Sequence, residues 1–230
     1  MTAEENGRLL ANSPLFAGLD DKTLSSLGEQ AIRRPFAKGR SIFYQGDAGD
    51  SLFVIAEGMV KVWVSSGEGS EMVLATLRSP EAFGELSAVS GASRSASASA
   101  LEDTVLVSLD RATLLDSAHR QPKLADALLE AMGNLTRRIT ESASDLVFLD
   151  LAGRVANRLV QRTERDGHAE GTEILLELPL TQTELADMVG GSRQSVNHIL
   201  KSFEARGFLE LRGREVAILD MDALRRRAGS

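Results

Sequence analysis

The chain is predicted to be α+β, with a strand-rich part, one long helix and a helix–hairpin part in succession. Three observations predict this. Short apolar runs and Gly-rich turns alternate from about Ile32 to Leu109. A heptad seam runs from Leu128 to Leu149. From Asp150 onward, capping patterns open three helices, and a Gly turn divides a final hairpin.

Taken in order, Ser13-Pro14 and the pattern from Asp21 to Gln30 predict a leading helix. SIFYQ, GDAGD, SLFVIAEG, MVKVWV, SSGEGS and EMVLATL follow, candidate strands cut by turns. MVKVWV alternates as a half-buried strand does. Many short strands at this spacing suggest a sandwich or closed roll. From about Gln121 to Leu149 the texture is helical. Leu128, Met132, Leu135, Ile139, Ser142, Leu146 and Leu149 step by four and three, with one polar member. At about 1.5 Å per residue this helix is roughly 40 Å long. Its seam fits a coiled-coil partner or the core of its own domain, and its length favours dimerisation.

Asp150 can cap a helix holding Leu151, Val155, Leu159 and Val160, which HAEGTE ends. Thr181-Gln182-Thr183-Glu184 is a capping box, in which hydroxyl and carboxylate each satisfy an orphan backbone N–H. The short helix it opens stops at Gly190-Gly191. Ser192 caps the next helix, which runs to about Arg206 and ends at Gly207. FLELRGREVAIL reads as two strands around Gly213. The tail with Arg225, Arg226 and Arg227 reads as a solvated terminus.

Composition removes several function classes. Hydrophobic residues make up 43% and charged residues 26%, so a packed core is expected. Cysteine is absent, which excludes disulfides, thiolate zinc sites, a cysteine nucleophile and cysteine-ligated iron–sulfur clusters. His119, His168 and His198 lie far apart and show no metal-ligand spacing, so no metal is expected. MTAEENGR is polar and acidic, unlike a signal peptide, and no apolar run approaches membrane-spanning length. A cytoplasmic protein without a membrane partner is expected. Paired carboxylates in a shared motif, a nucleophile elbow and a metal triad are all missing, so an enzyme is not expected.

The net charge of −7 argues against nucleic-acid binding by the chain as a whole. The charge is unevenly spread: residues 1–149 hold 14 Lys and Arg against 20 Asp and Glu, and residues 150–230 hold 12 against 13. Any basic surface in the second part is therefore local. A short helix, a Gly turn and a second capped helix form a helix-turn-helix pattern. Wound at 100° per residue, the second helix puts Val196, Ile199, Leu200 and Phe203 on one arc. Gln194, Asn197, His198, Lys201 and Ser202 take the opposite arc, with Arg193 at its N-terminal edge. A polar arc is often only a solvated face. This one carries two cations and a single acid, Glu204, on an acidic chain. Arg matches guanine O6 and N7, and Gln or Asn matches adenine N6 and N7. The N-terminal residues of such a helix reach the bases, which makes Arg193, Gln194 and Asn197 the candidate readers. Thr181, Gln182, Ser192, Ser195, His198 and Lys201 complete the set on the two helices. Arg212 and Arg214, at the hairpin tip, are placed to meet the phosphate backbone.

A second constellation is FGELSAVSGASRSASASA, residues 83–100. Arg94 offers a planar fork of donors for phosphate oxygens. Gly84 lets backbone approach without a Cβ. Glu85 can accept from a ribose hydroxyl, and Ser95 can donate to phosphate. The same residues also fit an ion pair, Glu85 with Arg94, that holds a loop.

GEL, nine residues from Glu85 to Arg94, then RSA, resembles the phosphate-binding cassette of cyclic-nucleotide-binding domains. PLFAGLD, the long helix, FLDLAGRVANRL and LTQTELADMVGGSRQSVNHILKSFEARGFLEL resemble the family built on that domain, the cAMP receptor protein and fumarate–nitrate reduction regulator (CRP/FNR) family. The resemblance covers about residues 13–223. It implies a cyclic-nucleotide-binding β-roll, of jelly-roll type, over 13–120. A dimerisation helix over 121–149 and a winged helix-turn-helix DNA-binding domain over 150–223 follow. It implies that Gly84, Glu85, Leu86, Arg94 and Ser95 hold ribose and cyclic phosphate, with cAMP as the allosteric effector. It also implies a homodimer on a palindromic DNA site, and RNA polymerase as a partner. Where cAMP-responsive members present two adjacent hydroxylic residues to adenine, this chain has Ile139 and Thr140. Ile139 cannot hydrogen-bond a base amine, so cGMP, a cyclic dinucleotide or no effector at all is the alternative. Gln194 and His198 replace an acid and a basic residue usual in the best-known members.

Overall fold

The structure, a computed structural model, describes residues 3–65, 71–170, 173–177, 182–213 and 215–229; for Arg138, Glu177 and residues 182–184 it describes the backbone only. The chain forms two compact units, Met1–Arg138 and Ile139–Ser230.

The first unit opens with α1 (Ala3–Asn12), a 3-10 turn at Pro14–Phe16 and α2 (Asp21–Gln30). The expected leading helix is α2; α1 precedes it. Asp20 caps α2 by accepting from the Thr23 N–H at 2.9 Å. Two four-stranded antiparallel sheets follow. One has the order β1 (Ile32–Phe36), β8 (Thr104–Asp110), β3 (Ser51–Glu57), β6 (Ala82–Phe83). The other has the order β2 (Ser41–Phe43), β7 (Ser97–Ala100), β4 (Met59–Ser65), β5 (Glu71–Arg78).

Strand β3 serves two cores, because successive side chains leave opposite faces. Phe53 and Ile55 pack with Val60, Leu77, Phe83, Ala98 and Leu106. Leu52 and Val54 pack with Leu10, Phe16 and Leu27 of the helical side, and with Leu109, Leu114 and Leu124. A short helix, α3 (Glu85–Ser90), lies inside the cassette, where no helix was expected. Asp110 caps α4 (Arg111–Arg120) through the Thr113 N–H at 2.9 Å.

Helix α5 (Pro122–Phe148) has 27 residues and matches the predicted long helix to within a residue at each end. Its first turns bury Leu124 and Leu128. Farther along, Ile139 is 58%, Leu146 47% and Phe148 80% exposed in the single chain. Ile139 and Leu146 thus leave the later part of the seam partly exposed in the single chain, and Phe148 lies on another side of the helix.

In the second unit, Asp150 caps α6 (Leu151–Asp166) by accepting from the Gly153 N–H at 2.7 Å, as expected. Then come β9 (His168–Glu170), β10 (Glu173–Glu177), α7 (Gln182–Val189), α8 (Arg193–Ala205), β11 (Leu209–Arg212), β12 (Glu215–Ile218) and α9 (Met221–Arg227). The expected hairpin is β11–β12. It belongs to a four-stranded antiparallel sheet, β11-β12-β10-β9, in which the sequence does not predict β9 and β10. The core joins Val155 and Leu159 of α6, Leu185 and Val189 of α7, Val196, Leu200 and Phe203 of α8, and Val216 and Ile218 of β12.

The tail read as a solvated terminus is corrected. Leu224 of α9 is fully buried in this core, Arg225 pairs with Glu164 at 2.9 Å, and Arg227 pairs with Asp150 at 2.7 Å. An apolar pair, Ala223-Leu224, ahead of the arginines supplies the anchor.

Candidate ligand and nucleic-acid sites

Gly84 precedes α3 with φ of +81°, a left-handed conformation open to glycine. A Cβ there would stand 2.7 Å from Arg94 Nη1, so the cassette needs glycine on two counts. Arg94 is only 4% exposed. Its Nη1 donates to the Gly84 carbonyl at 3.1 Å and the Ser87 hydroxyl at 2.9 Å, and its Nη2 donates to the Ser51 carbonyl at 2.8 Å. The Phe43 ring centroid lies 4.2 Å from the guanidinium carbon, and that of Phe53 lies 5.4 Å away. Burial pushes the Arg94 pKa below the ordinary arginine value; the charges of Asp50, Asp47 and Glu85 oppose the shift. Arg94 Nε is buried with no hydrogen-bond partner among the described residues.

A buried cationic donor without an acceptor costs free energy. An anionic oxygen is the partner that removes that cost, so the residues present fit a phosphodiester. Glu85 is half-buried at the start of α3, while Leu86 and Ser95 are exposed at the rim. Ile139 and Thr140 lie on α5, both exposed, in the second compact unit. Sequence reasoning missed Phe43, Ser87 and the Ser51 carbonyl. Phe43 and Ser51 lie in the runs SIFYQ and SLFVIAEG, read only as candidate strands, and no motif marks them.

The helix-turn-helix is built as its capping chemistry requires. Gly190 has φ of +64°, and a Cβ on Gly191 would stand 2.7 Å from Leu151 Cδ1. Ser192 caps α8 by accepting from the Ser195 N–H at 3.0 Å, which commits both serines locally; their hydroxyls lie 2.8 Å apart. Val196, Leu200 and Phe203 are buried, while Arg193, Gln194, His198 and Lys201 are exposed and Asn197 is half-buried. The apolar and polar arcs thus fall as predicted. Glu204, the one acid near the face, turns its carboxylate to the Leu211 N–H at 3.0 Å and anchors β11.

Arg212 closes β11 beside the hairpin turn. It pairs with Glu173 at 2.9 Å and also with Glu210. The hydrogen bonds it donates, first to Glu210 and then to Glu173, raise its pKa further. These pairs brace the sheet. Thr181, Arg214 and the side chain of Gln182, and with them the capping box, lie outside the described residues. Arg154 was not anticipated: its Nε donates to the Val189 carbonyl at 2.8 Å and its Nη1 to the Leu149 carbonyl at 2.9 Å. It ties the end of α5 to the end of α7.

Residues 33–121 match the model of the cyclic nucleotide-binding domain, and residues 153–227 match that of the Crp-like helix-turn-helix domain. The chain is 34% identical over 220 residues to the CRP-like cAMP-activated global transcriptional regulator of Mycobacterium tuberculosis, covering 96% of this chain and 98% of that one. The chain belongs to the CRP/FNR family of transcription regulators. A second family member, the cyclic AMP receptor protein of Thermus thermophilus, is 32% identical over 216 residues, 92% of this chain and 97% of its own. Among solved family structures, the c-di-GMP responsive global regulator CLP of Xanthomonas campestris superposes with a TM-score of 0.72 at 25% identity, covering 86% and 99% of the two chains. The second domain match runs to Arg227, so α9 lies within it. Among the described residues, no group of three or more His, Asp and Glu could hold a metal ion, and no helix is long and apolar enough to cross a membrane.

Proposed function

We propose that the chain is a homodimeric transcription regulator whose affinity for DNA is set by a cyclic nucleotide, with cAMP the first candidate. The observation that carries the effector half is Arg94: a buried, planar cation with an unpartnered donor, beside a glycine that cannot carry a Cβ. Gly84, Glu85, Leu86, Arg94 and Ser95 hold the ribose and phosphate, and Ile139 and Thr140 meet the base. Residues 13–120 are the effector domain, 121–149 the dimerisation helix and 150–223 the DNA-binding domain. The exposed seam positions Ile139 and Leu146 support a second copy of the helix as their cover.

Arg193, Gln194 and Asn197 read base edges, and His198 and Lys201 support them. Arg212 and Arg214, at the hairpin tip, meet the phosphate backbone. RNA polymerase is the protein partner, the regulator performs no catalysis, and it works in the cytoplasm. Gel retardation on a palindromic site, with half-sites about one helical turn apart, tests the reading. Tighter binding with cAMP is expected; equal affinity with and without it refutes the gating.

A second reading keeps the DNA binding and changes the effector. Ile139 favours it, because an exposed isoleucine offers a base amine no acceptor. Calorimetry against cAMP, cGMP and cyclic dinucleotides decides between the two.

A further inference from the structure

Arg94 carries five N–H donors in a rigid plane. Three are placed, on the Gly84 carbonyl, the Ser87 hydroxyl and the Ser51 carbonyl. The buried Nε has no acceptor among the described residues. Two of the three acceptors are backbone carbonyls, which side-chain substitution leaves in place. The orientation of the plane therefore depends on two side chains. Ser87 takes one Nη1 proton at 2.9 Å, and Phe43 covers one face with its ring centroid 4.2 Å from Cζ.

Both side chains are themselves held. Phe43 stacks on Phe53 at 5.8 Å and lies 6.0 Å from Phe83, on a strand paired with Ala98. Ser87 is 4% exposed in α3, and a Cβ on Gly49 would stand 2.2 Å from its own Cβ. Gly49 thus makes room for the serine that orients the arginine.

We propose that Phe43 and Ser87 are positioning residues that keep the Arg94 fork set for the phosphate of the effector. Ordering a long side chain is costly, and a fork ordered during folding spares the ligand that cost. A planar donor also loses more from tilting than a point charge does, since its hydrogen bonds are directional. The proposal rests on the reading of this cassette as a cyclic-nucleotide site.

The test is calorimetric titration of the full chain with cAMP, cGMP and a cyclic dinucleotide. The variants are Phe43→Leu, Phe43→Tyr and Ser87→Ala, each also made in an Arg94→Lys background. Phe43→Leu and Ser87→Ala should each weaken binding about 3- to 10-fold, while Phe43→Tyr, which keeps the ring, binds as the wild type does. In the Arg94→Lys background neither substitution should weaken binding further, because lysine has no plane to orient. Weak binding there is read by displacement of a fluorescent nucleotide analogue. Losses that persist at full size in that background overturn the proposal, as do single variants that bind like the wild type. Wild-type protein that binds none of the nucleotides is a different failure: it overturns the cassette reading and the proposal with it. Thermal melts of every variant separate loss of fold from loss of orientation.

Discussion

Arg94→Leu bears on both halves of the cassette, because the guanidinium has partners inside the protein as well as a donor left for a ligand. Of its five donors, three are taken internally, so Nε and one Nη2 proton remain. Each charge-assisted bond contributes about 1.5–3 kcal/mol. Two lost bonds give about 3–6 kcal/mol, or roughly two to four orders of magnitude in affinity.

The fold responds as well. Leucine takes the guanidinium donor from the Ser51 carbonyl, at about 1 kcal/mol for a partly buried group, while the Gly84 carbonyl keeps the Ala88 N–H at 3.1 Å. It also removes the counter-charge that Asp50, Asp47 and Glu85 share. The desolvation of the arginine disappears with it and offsets part of this. A net loss of about 1–2 kcal/mol lowers the Tm of a chain this size by roughly 2–8 °C. Calorimetry with cAMP and differential scanning fluorimetry on the same sample read both effects. Nucleotide affinity within tenfold of the wild type would refute the assignment of the two remaining donors. An unchanged Tm would refute the internal role of the guanidinium.

Three further outcomes are expected. Arg193→Ala should cost about 1–3 kcal/mol at one guanine of the half-site, read by retardation on a set of single-base variants; equal loss on every sequence makes Arg193 a phosphate contact instead. Leu146→Glu, on the half-exposed part of the α5 seam, should give a monomer by light scattering while leaving secondary structure intact; a dimer of unchanged mass sinks the seam as the interface. Asp20, Asp110 and Asp150 cap α2, α4 and α6, and backbone N–H groups of Thr23, Thr113 and Gly153 are the first cause holding each carboxyl below its ordinary value. A depressed pKa gives stability that is present above the ordinary aspartate value and is lost as pH falls through the depressed one, here below about pH 4. Replacing the three by Asn, which caps without titrating, should flatten the acid limb of Tm against pH; an unaltered slope counts against the caps as its source.

Local chemistry explains what could be read directly. The boundaries of α6 and α8 follow from the caps Asp150 and Ser192 and from Gly167 and Gly207 after them, all signals within one turn of the event they mark, and the span of α5 follows from its seam. The opposed arcs of α8 follow from its period alone. Helix α3 was invisible because it has six residues between two left-handed glycines, too few for a period to show. Helix α9 was hidden by its arginines, whose partners Glu164 and Asp150 lie 61 and 77 residues away. The same distance problem hid the surroundings of Arg94. The fork was legible as a residue type, but the Ser51 carbonyl is 43 positions away and Phe43 sits on a strand of the other sheet. For Arg212 the sequence shows the place beside the turn, while the pairing with Glu173 on another strand is a tertiary contact that no local signal marks.

A regulator gated by a ligand must obey reciprocity. If the nucleotide multiplies DNA affinity by some factor, DNA must multiply nucleotide affinity by the same factor. Couplings of about 1–3 kcal/mol correspond to roughly 5- to 150-fold. A nucleotide that bound Arg94 tightly but favoured neither arrangement of the DNA-binding unit would shift nothing. Titrating the nucleotide with and without saturating operator DNA therefore measures the gating independently of any retardation assay. The two factors should agree within error, and both should fall to one in a variant that separates the dimer while leaving each cassette folded. Nucleotide affinity that DNA leaves unchanged, in a protein whose DNA affinity the nucleotide raises, would break the linkage. The retardation result would then need a cause other than a two-state switch.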